Sequence, residues 1–152
     1  MIPRRQHPAI DKPTEPKMLT LSNRSLLNKT FLADGTFSLF VGAVLILDAA
    51  ALAALISPAA TPLMMKLLGV GLLAWGIFHL SAARNGGPVS AAARVSIAGD
   101  ILWQVASLAL LAAAYGSLTA IGTGLVIVGM IGVADFLFFK VKGFARERAA
   151  LA

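Results

Sequence analysis

Three carboxylates and one imidazole, Asp34, Asp100, Asp135 and His79, stand inside stretches of this chain that are otherwise hydrocarbon. A neutral histidine between carboxylates is suited to accept and pass on a proton, because imidazole changes charge most easily near neutral pH. Ionisable groups within apolar helices also commonly mark ion or proton pathways. In AGDILWQVAS and its flanks, Ser96, Asp100, Gln104 and Ser107 recur at i, i+4, i+8 and i+11. This spacing places them on one helical stripe, with Trp103 beside it. At a rise of about 1.5 Å per residue, Asp100 lies roughly 8 Å, and Asp135 and His79 roughly 6 Å, inside the same end of their apolar runs. Asp34 marks the mouth of the first run. The expectation is a polar layer of Asp34, His79, Asp100, Gln104 and Asp135, with Ser38 and Ser96 close by.

The runs that carry these groups are long enough to cross a bilayer. Of 152 residues, 58% are hydrophobic and 13% charged, about half the charged share of an ordinary soluble domain. Apolar length predicts spans over 35–57, 62–83, 95–115 and 118–139, each close to the roughly 20 residues needed for about 30 Å of hydrocarbon. The connections SPAAT, NGGPVSAAA and GS are short, so neighbouring spans should run antiparallel. The expected fold is an all-α membrane protein with four antiparallel transmembrane helices. The first apolar run starts late and is too long for a signal-peptide core, so no cleavage is expected.

Orientation follows from lysine and arginine. Basic residues crowd the N-terminal segment, the middle loop (Arg84, Arg94) and the C-terminal end (Lys140, Lys142, Arg146, Arg148), while the other two loops carry none. Both termini should therefore be cytoplasmic, in a multi-pass protein of the cell inner membrane. Residues 1–21 read as a proline-rich basic tail, 22–33 as a short interfacial helix with Ser22 as candidate N-cap, 34–142 as the bundle and 143–152 as a cytoplasmic end. In the interfacial helix Leu26, Leu27 and Phe31 should face the acyl boundary. Arg4, Arg5, Lys12, Lys17, Arg24 and Lys29 are placed for anionic lipid headgroups or a partner protein. The net charge of +6 is thus a matter of topology; no folded basic face suggests nucleic acid.

Two further features concern packing. Asp48 lies deep on the first span, and Lys66 enters the second at a comparable level, so an outer-leaflet Asp48–Lys66 pair is expected. Gly69, Gly71 and Gly76 on the second span, and Gly122, Gly124, Gly129 and Gly132 on the fourth, keep bulk low where helices cross, within one chain or between copies.

Enzyme chemistry finds little support. The chain has no cysteine, one histidine within the spans, and no HExxH, nucleophile elbow or phosphate loop, so neither a metal nor a cofactor is expected. LLNKTFLADGTFSLFVGAVLIL, LLGVGLLAWGIFHLSAAR, DILWQVASLALL and the glycine-rich last span resemble small four-span bacterial integral membrane proteins of uncharacterised function, over about residues 25–145. Asp100 with Leu102 and Trp103 corresponds to a polar residue preceding an LW pair in that group. The resemblance implies architecture without implying a reaction. The function expected is a small accessory or structural subunit of a larger inner-membrane assembly, held through its tail and helix faces, or else a homo-oligomer. The alternative is a proton-coupled small-molecule transporter that uses its intramembrane carboxylates.

Overall fold

The computed structural model describes residues 24–84 and 90–152. Among them the chain forms five helices: α1 (Leu26–Leu47), α2 (Ala49–Ile56), α3 (Pro62–Arg84), α4 (Ala91–Ala113) and α5 (Ala120–Ala149). No strand occurs among the described residues. Helices α1, α3, α4 and α5 are long and apolar enough to cross a membrane, the character of a multi-pass membrane protein. The tail 1–21, Ser22, and with them Arg4, Arg5, Lys12 and Lys17, lie outside the described residues.

Hydroxyl groups start the long helices, where backbone N–H groups lack intrahelical acceptors. Ser25 accepts from Asn28 N–H at 3.2 Å, Ser90 from Ala93 N–H at 3.3 Å and Thr119 from Gly122 N–H at 2.8 Å. Helix α3 starts at Pro62, whose missing N–H costs nothing at a first helical position, and Thr61 accepts from Met64 N–H at 3.2 Å. Gly116, at φ 87°, turns the chain between α4 and α5 in the left-handed region that a side chain would oppose.

Packing is closest between α1 and α3. Gly35 sits against the Gly76 carbonyl and Gly42 against the Gly69 carbonyl, so contacts advance along α1 as they recede along α3. Beyond this glycine seam, Leu45, Ala49, Ala53 and Met65 form one apolar cluster; at the opposite end Leu27, Phe31, Ala83 and Ala93 form another. Helix α5 closes the bundle against α1 and α2. Gly143 meets the Leu27 backbone, Phe136 meets Phe37 with ring centres 5.9 Å apart, and Gly122 meets the Ile56 backbone.

Within the stretch 22–33, expected as a separate interfacial helix, the described residues fold otherwise. Residues 26–33 are the first turns of α1, and Leu27 and Phe31 are buried inside the bundle instead of facing outward. Polar groups fix this end in place. The Asn28 amide donates to the Ala83 carbonyl at 2.7 Å, and Arg24 donates to Asn28 Oδ1 at 2.7 Å and to the same carbonyl at 3.2 Å. They supply the hydrogen bonds that the last turn of α3 lacks. The first predicted span thus corresponds to the later part of α1 together with α2, and α5 runs ten residues past the predicted end of its span.

Candidate functional site

Each long helix contributes one ionisable group to a single buried layer: Asp34 from α1, His79 from α3, Asp100 from α4 and Lys140 from α5. Lys140 is fully buried and lies at the centre. Its ammonium donates to Asp34 Oδ2, to Asp100 Oδ2 at 2.6 Å and to His79 Nε2 at 3.1 Å. Its three donors are therefore matched one to one with three acceptors on three other helices.

The histidine tautomer follows from what surrounds the ring. His79 Nδ1 lies 2.9 Å from the Trp75 carbonyl, which can only accept, so Nδ1 carries the proton. Nε2 faces an ammonium, which can only donate, and therefore accepts; the Ser96 hydroxyl lies 2.7 Å from the same nitrogen. In this geometry His79 is neutral. Asp34 Oδ2 lies 3.4 Å from Nε2, close enough to receive its proton were the ring doubly protonated. The Phe31, Trp75 and Phe78 rings surround the imidazole at centroid distances of 5.4, 4.9 and 5.3 Å, and Phe31 also lies 5.9 Å from the Lys140 ammonium.

The layer carries two carboxylates against one ammonium, one negative charge more than it balances. Asp34 is fully engaged, since Ser38 donates to its second oxygen at 3.1 Å. Asp100 is not: its Oδ1 makes no hydrogen bond within the described residues. The ligating atoms of Asp34, His79 and Asp100 all fall within 4.8 Å of one another, a spacing that would suit a metal ion. The Lys140 ammonium already lies within hydrogen-bonding reach of all three, so a metal at this point would have to displace it.

Asp34 and Asp100 also line one side of a cavity of about 660 Å³ between α1, α3, α4 and α5. Trp75 and Trp103 contribute to its walls, and the rest is mainly aliphatic, including Val41, Leu68, Leu72 and Val128. The cavity exists because α3 and α4 touch only sparsely. Where they do meet, the Trp75 indole packs against Gly99 and His79 reaches Ser96. The Trp103 indole N–H is buried without an acceptor among the described residues. A smaller cleft, of about 260 Å³, lies by the loops at Pro58 and Gly116–Thr119 and includes no ionisable residue.

The remaining sequence-derived residues sit elsewhere. Asp135, expected in the layer, is exposed; the residues of α5 that meet α1 are Phe136, Lys140 and Gly143, at i, i+4 and i+7, which leaves Asp135 off that face. Gln104 is half-buried and donates to the Met130 carbonyl at 2.7 Å, tying α4 to α5 away from the charges. Asp48 and Lys66 are both exposed and form no ion pair among the described residues. The register that seats Leu45, Ala49 and Met65 between the helices turns their neighbours Asp48 and Lys66 outward. Gly69, Gly76 and Gly122 lie at close helix contacts, whereas Gly71, Gly124, Gly129 and Gly132 have open space where a side chain would stand. Arg24 is held by Asn28 and Ala83, and Lys29 is exposed.

Lys140 is the functional residue that sequence reasoning missed. A lysine at the end of an apolar run reads as an interface anchor, yet two carboxylates at one depth were a signal that a cation should be sought within side-chain reach. What the fold and the layer define is a helical, multi-pass bundle with an ionic centre at the edge of a half-open cavity. Comparison of the chain with protein-family models, curated proteins and solved structures gives no match.

Proposed function

We propose that this chain is a four-span protein of the bacterial inner membrane that carries a small molecule by way of its half-open cavity in exchange for a proton. The observation that carries the reading is the charged layer of Asp34, His79, Asp100 and Lys140 at the edge of an apolar-walled cavity of about 660 Å³. Cavities of roughly 300–1,000 Å³ with apolar walls and a few converging polar groups are the usual form of a small-molecule site. One unbalanced negative charge gives a proton and a substrate something to compete for, and the neutral His79 at its side offers a further proton acceptor.

The four helices are antiparallel in this reading, which the opposed contact order of α1 and α3 supports, and both termini are cytoplasmic. The support for the latter is the clustering of Arg24, Lys29, Arg84, Arg94, Lys142, Arg146 and Arg148 near one end. The charged layer then belongs to the inner leaflet.

In proteoliposomes with a trapped pH dye, a panel of small organic cations, anions and neutral solutes should include a class whose addition drives proton movement. Asp100→Asn should abolish that movement, while Asp48→Asn, far from the layer, should leave it unchanged. A panel with no active member, or full activity in Asp100→Asn, would contradict the reading.

A second reading, a small accessory subunit of a larger membrane assembly, rests on Asp135. This exposed carboxylate lies roughly 7.5 Å further along α5 than Lys140, towards the middle of the span. A carboxylate facing lipid costs up to about 2.5–3.5 kcal/mol at mid-membrane and less nearer the interface, a cost that a partner helix with a donor or cation would offset.

A further inference from the structure

The chemical class of the occupant can be read from the asymmetry of the layer at the cavity's edge. Both carboxylates, Asp34 and Asp100, line the cavity; the ammonium that partly balances them does not, being fully buried behind them. A molecule in the cavity therefore meets the negative side of the layer. Asp100 presents a carboxylate with one oxygen, Oδ1, free of hydrogen bonds among the described residues. Among the described residues no lysine, arginine or histidine lines the cavity, so no cationic side chain there draws an anion. Trp75 and Trp103 add two indole rings, the aromatic group that holds cations best over its face. The remaining walls are hydrocarbon and favour a ligand whose bulk is apolar.

Resting on the reading of this cavity as the substrate site, we propose that it binds a lipophilic organic monocation. The charged centre sits beside Asp100 Oδ1, and the apolar groups lie between the two tryptophans and the aliphatic side chains of α1, α3 and α5. A single positive charge matches the single charge left unbalanced by Lys140. A dication would exceed it, and a neutral molecule would leave Asp100 uncompensated.

The chain offers a direct readout, because Trp75 and Trp103 are its only tryptophans and both line the cavity. The test uses the full-length protein in a mild non-ionic detergent and follows tryptophan fluorescence on titration with tetraphenylphosphonium, with tetraphenylborate, of the same shape and opposite charge, and with neutral triphenylphosphine oxide. The expected result is saturable quenching by the phosphonium, at least about tenfold tighter than by the oxide, as one ion pair or cation–π contact would give. No saturable change is expected with the borate. Gly129 lines the cavity and has open space at its Cβ, so Gly129→Phe should project a ring into the cavity without disturbing the helices and weaken quenching, with elution volume and helicity unchanged. Asp100→Asn should narrow the difference in affinity between the phosphonium and the oxide.

Equal binding of all three probes, or preference for the borate, would overturn the monocation while leaving a small-molecule site in place. If no probe binds, the proposal falls together with the reading of the cavity as a site. Phosphonium binding of unchanged affinity in Gly129→Phe would place it outside the cavity and overturn the proposal alone.

Discussion

Replacing Lys140 with methionine is expected to destabilise the bundle by about 3–5 kcal/mol, the usual cost of removing one partner from a buried ion pair. Methionine keeps an unbranched apolar side chain of similar volume but removes the ammonium that lies over Phe31 and holds three helices at once. Asp34 and Asp100 would then face one another across a site with no cation. Neutralising them as well, in Lys140→Met with Asp34→Asn and Asp100→Asn, should recover a large part of the loss, because buried ionic groups replaced by neutral ones of similar volume often leave stability unchanged. Thermal unfolding of the single and triple variants in one detergent, followed by size-exclusion fluorescence, checks both statements. A single variant as stable as the parent would mean that Lys140 does not hold the layer together.

The second large effect belongs to the seam between α1 and α3. A Cβ on Gly69 would stand 2.7 Å from the Gly42 carbonyl oxygen and 2.7 Å from Ile46 Cγ1. The isoleucine can rotate, but the carbonyl belongs to helix backbone and cannot, so Gly69→Leu must push α1 and α3 apart. Overpacking of this kind typically costs about 1–3 kcal/mol. Here separation would also loosen the Leu45, Ala49, Ala53 and Met65 cluster and shift Asp34 relative to His79, so a loss at or above the upper end is expected. Gly132→Leu provides the contrast: nothing lies within 4 Å of its Cβ, and its thermal midpoint should match the parent's. Similar losses in the two variants would remove the seam as the reason for Gly69.

These two sites show what could be read from the chain and what could not. Four apolar runs were legible because hydrocarbon thickness sets a length, and Asp34, His79 and Asp100 could be assigned to one layer because depth along a helix is a count of residues. Rotation about the helix axis leaves no such mark when apolar residues cover most of the circumference. That is why Asp135 and Lys140, five residues apart on α5, exchanged places between expectation and structure: the first is exposed and the second buried. The same uncertainty produced the Asp48–Lys66 pair, whose members share a level but both point outward. Leu27 and Phe31 were read as an interfacial face because the run before Asp34 is amphipathic in composition. The hydrogen bonds of Arg24 and Asn28 to the end of α3, which draw that turn into the bundle, depend on tertiary contact and leave no local trace. The cavity was likewise illegible, since it arises from the sparse contact of α3 with α4.

The central claim is that a proton and a small cationic molecule compete for the one negative charge that Lys140 leaves unbalanced. It is tested most directly by counting protons during binding, through calorimetric titration of tetraphenylphosphonium into the protein in buffers of different ionisation enthalpy. Binding should release up to about one proton per phosphonium, with affinity falling as pH falls because protons then hold the site. Release should vanish in Asp100→Asn. Binding with no proton exchanged anywhere over roughly pH 5 to 9, the range in which histidine and perturbed carboxylates titrate, would contradict it.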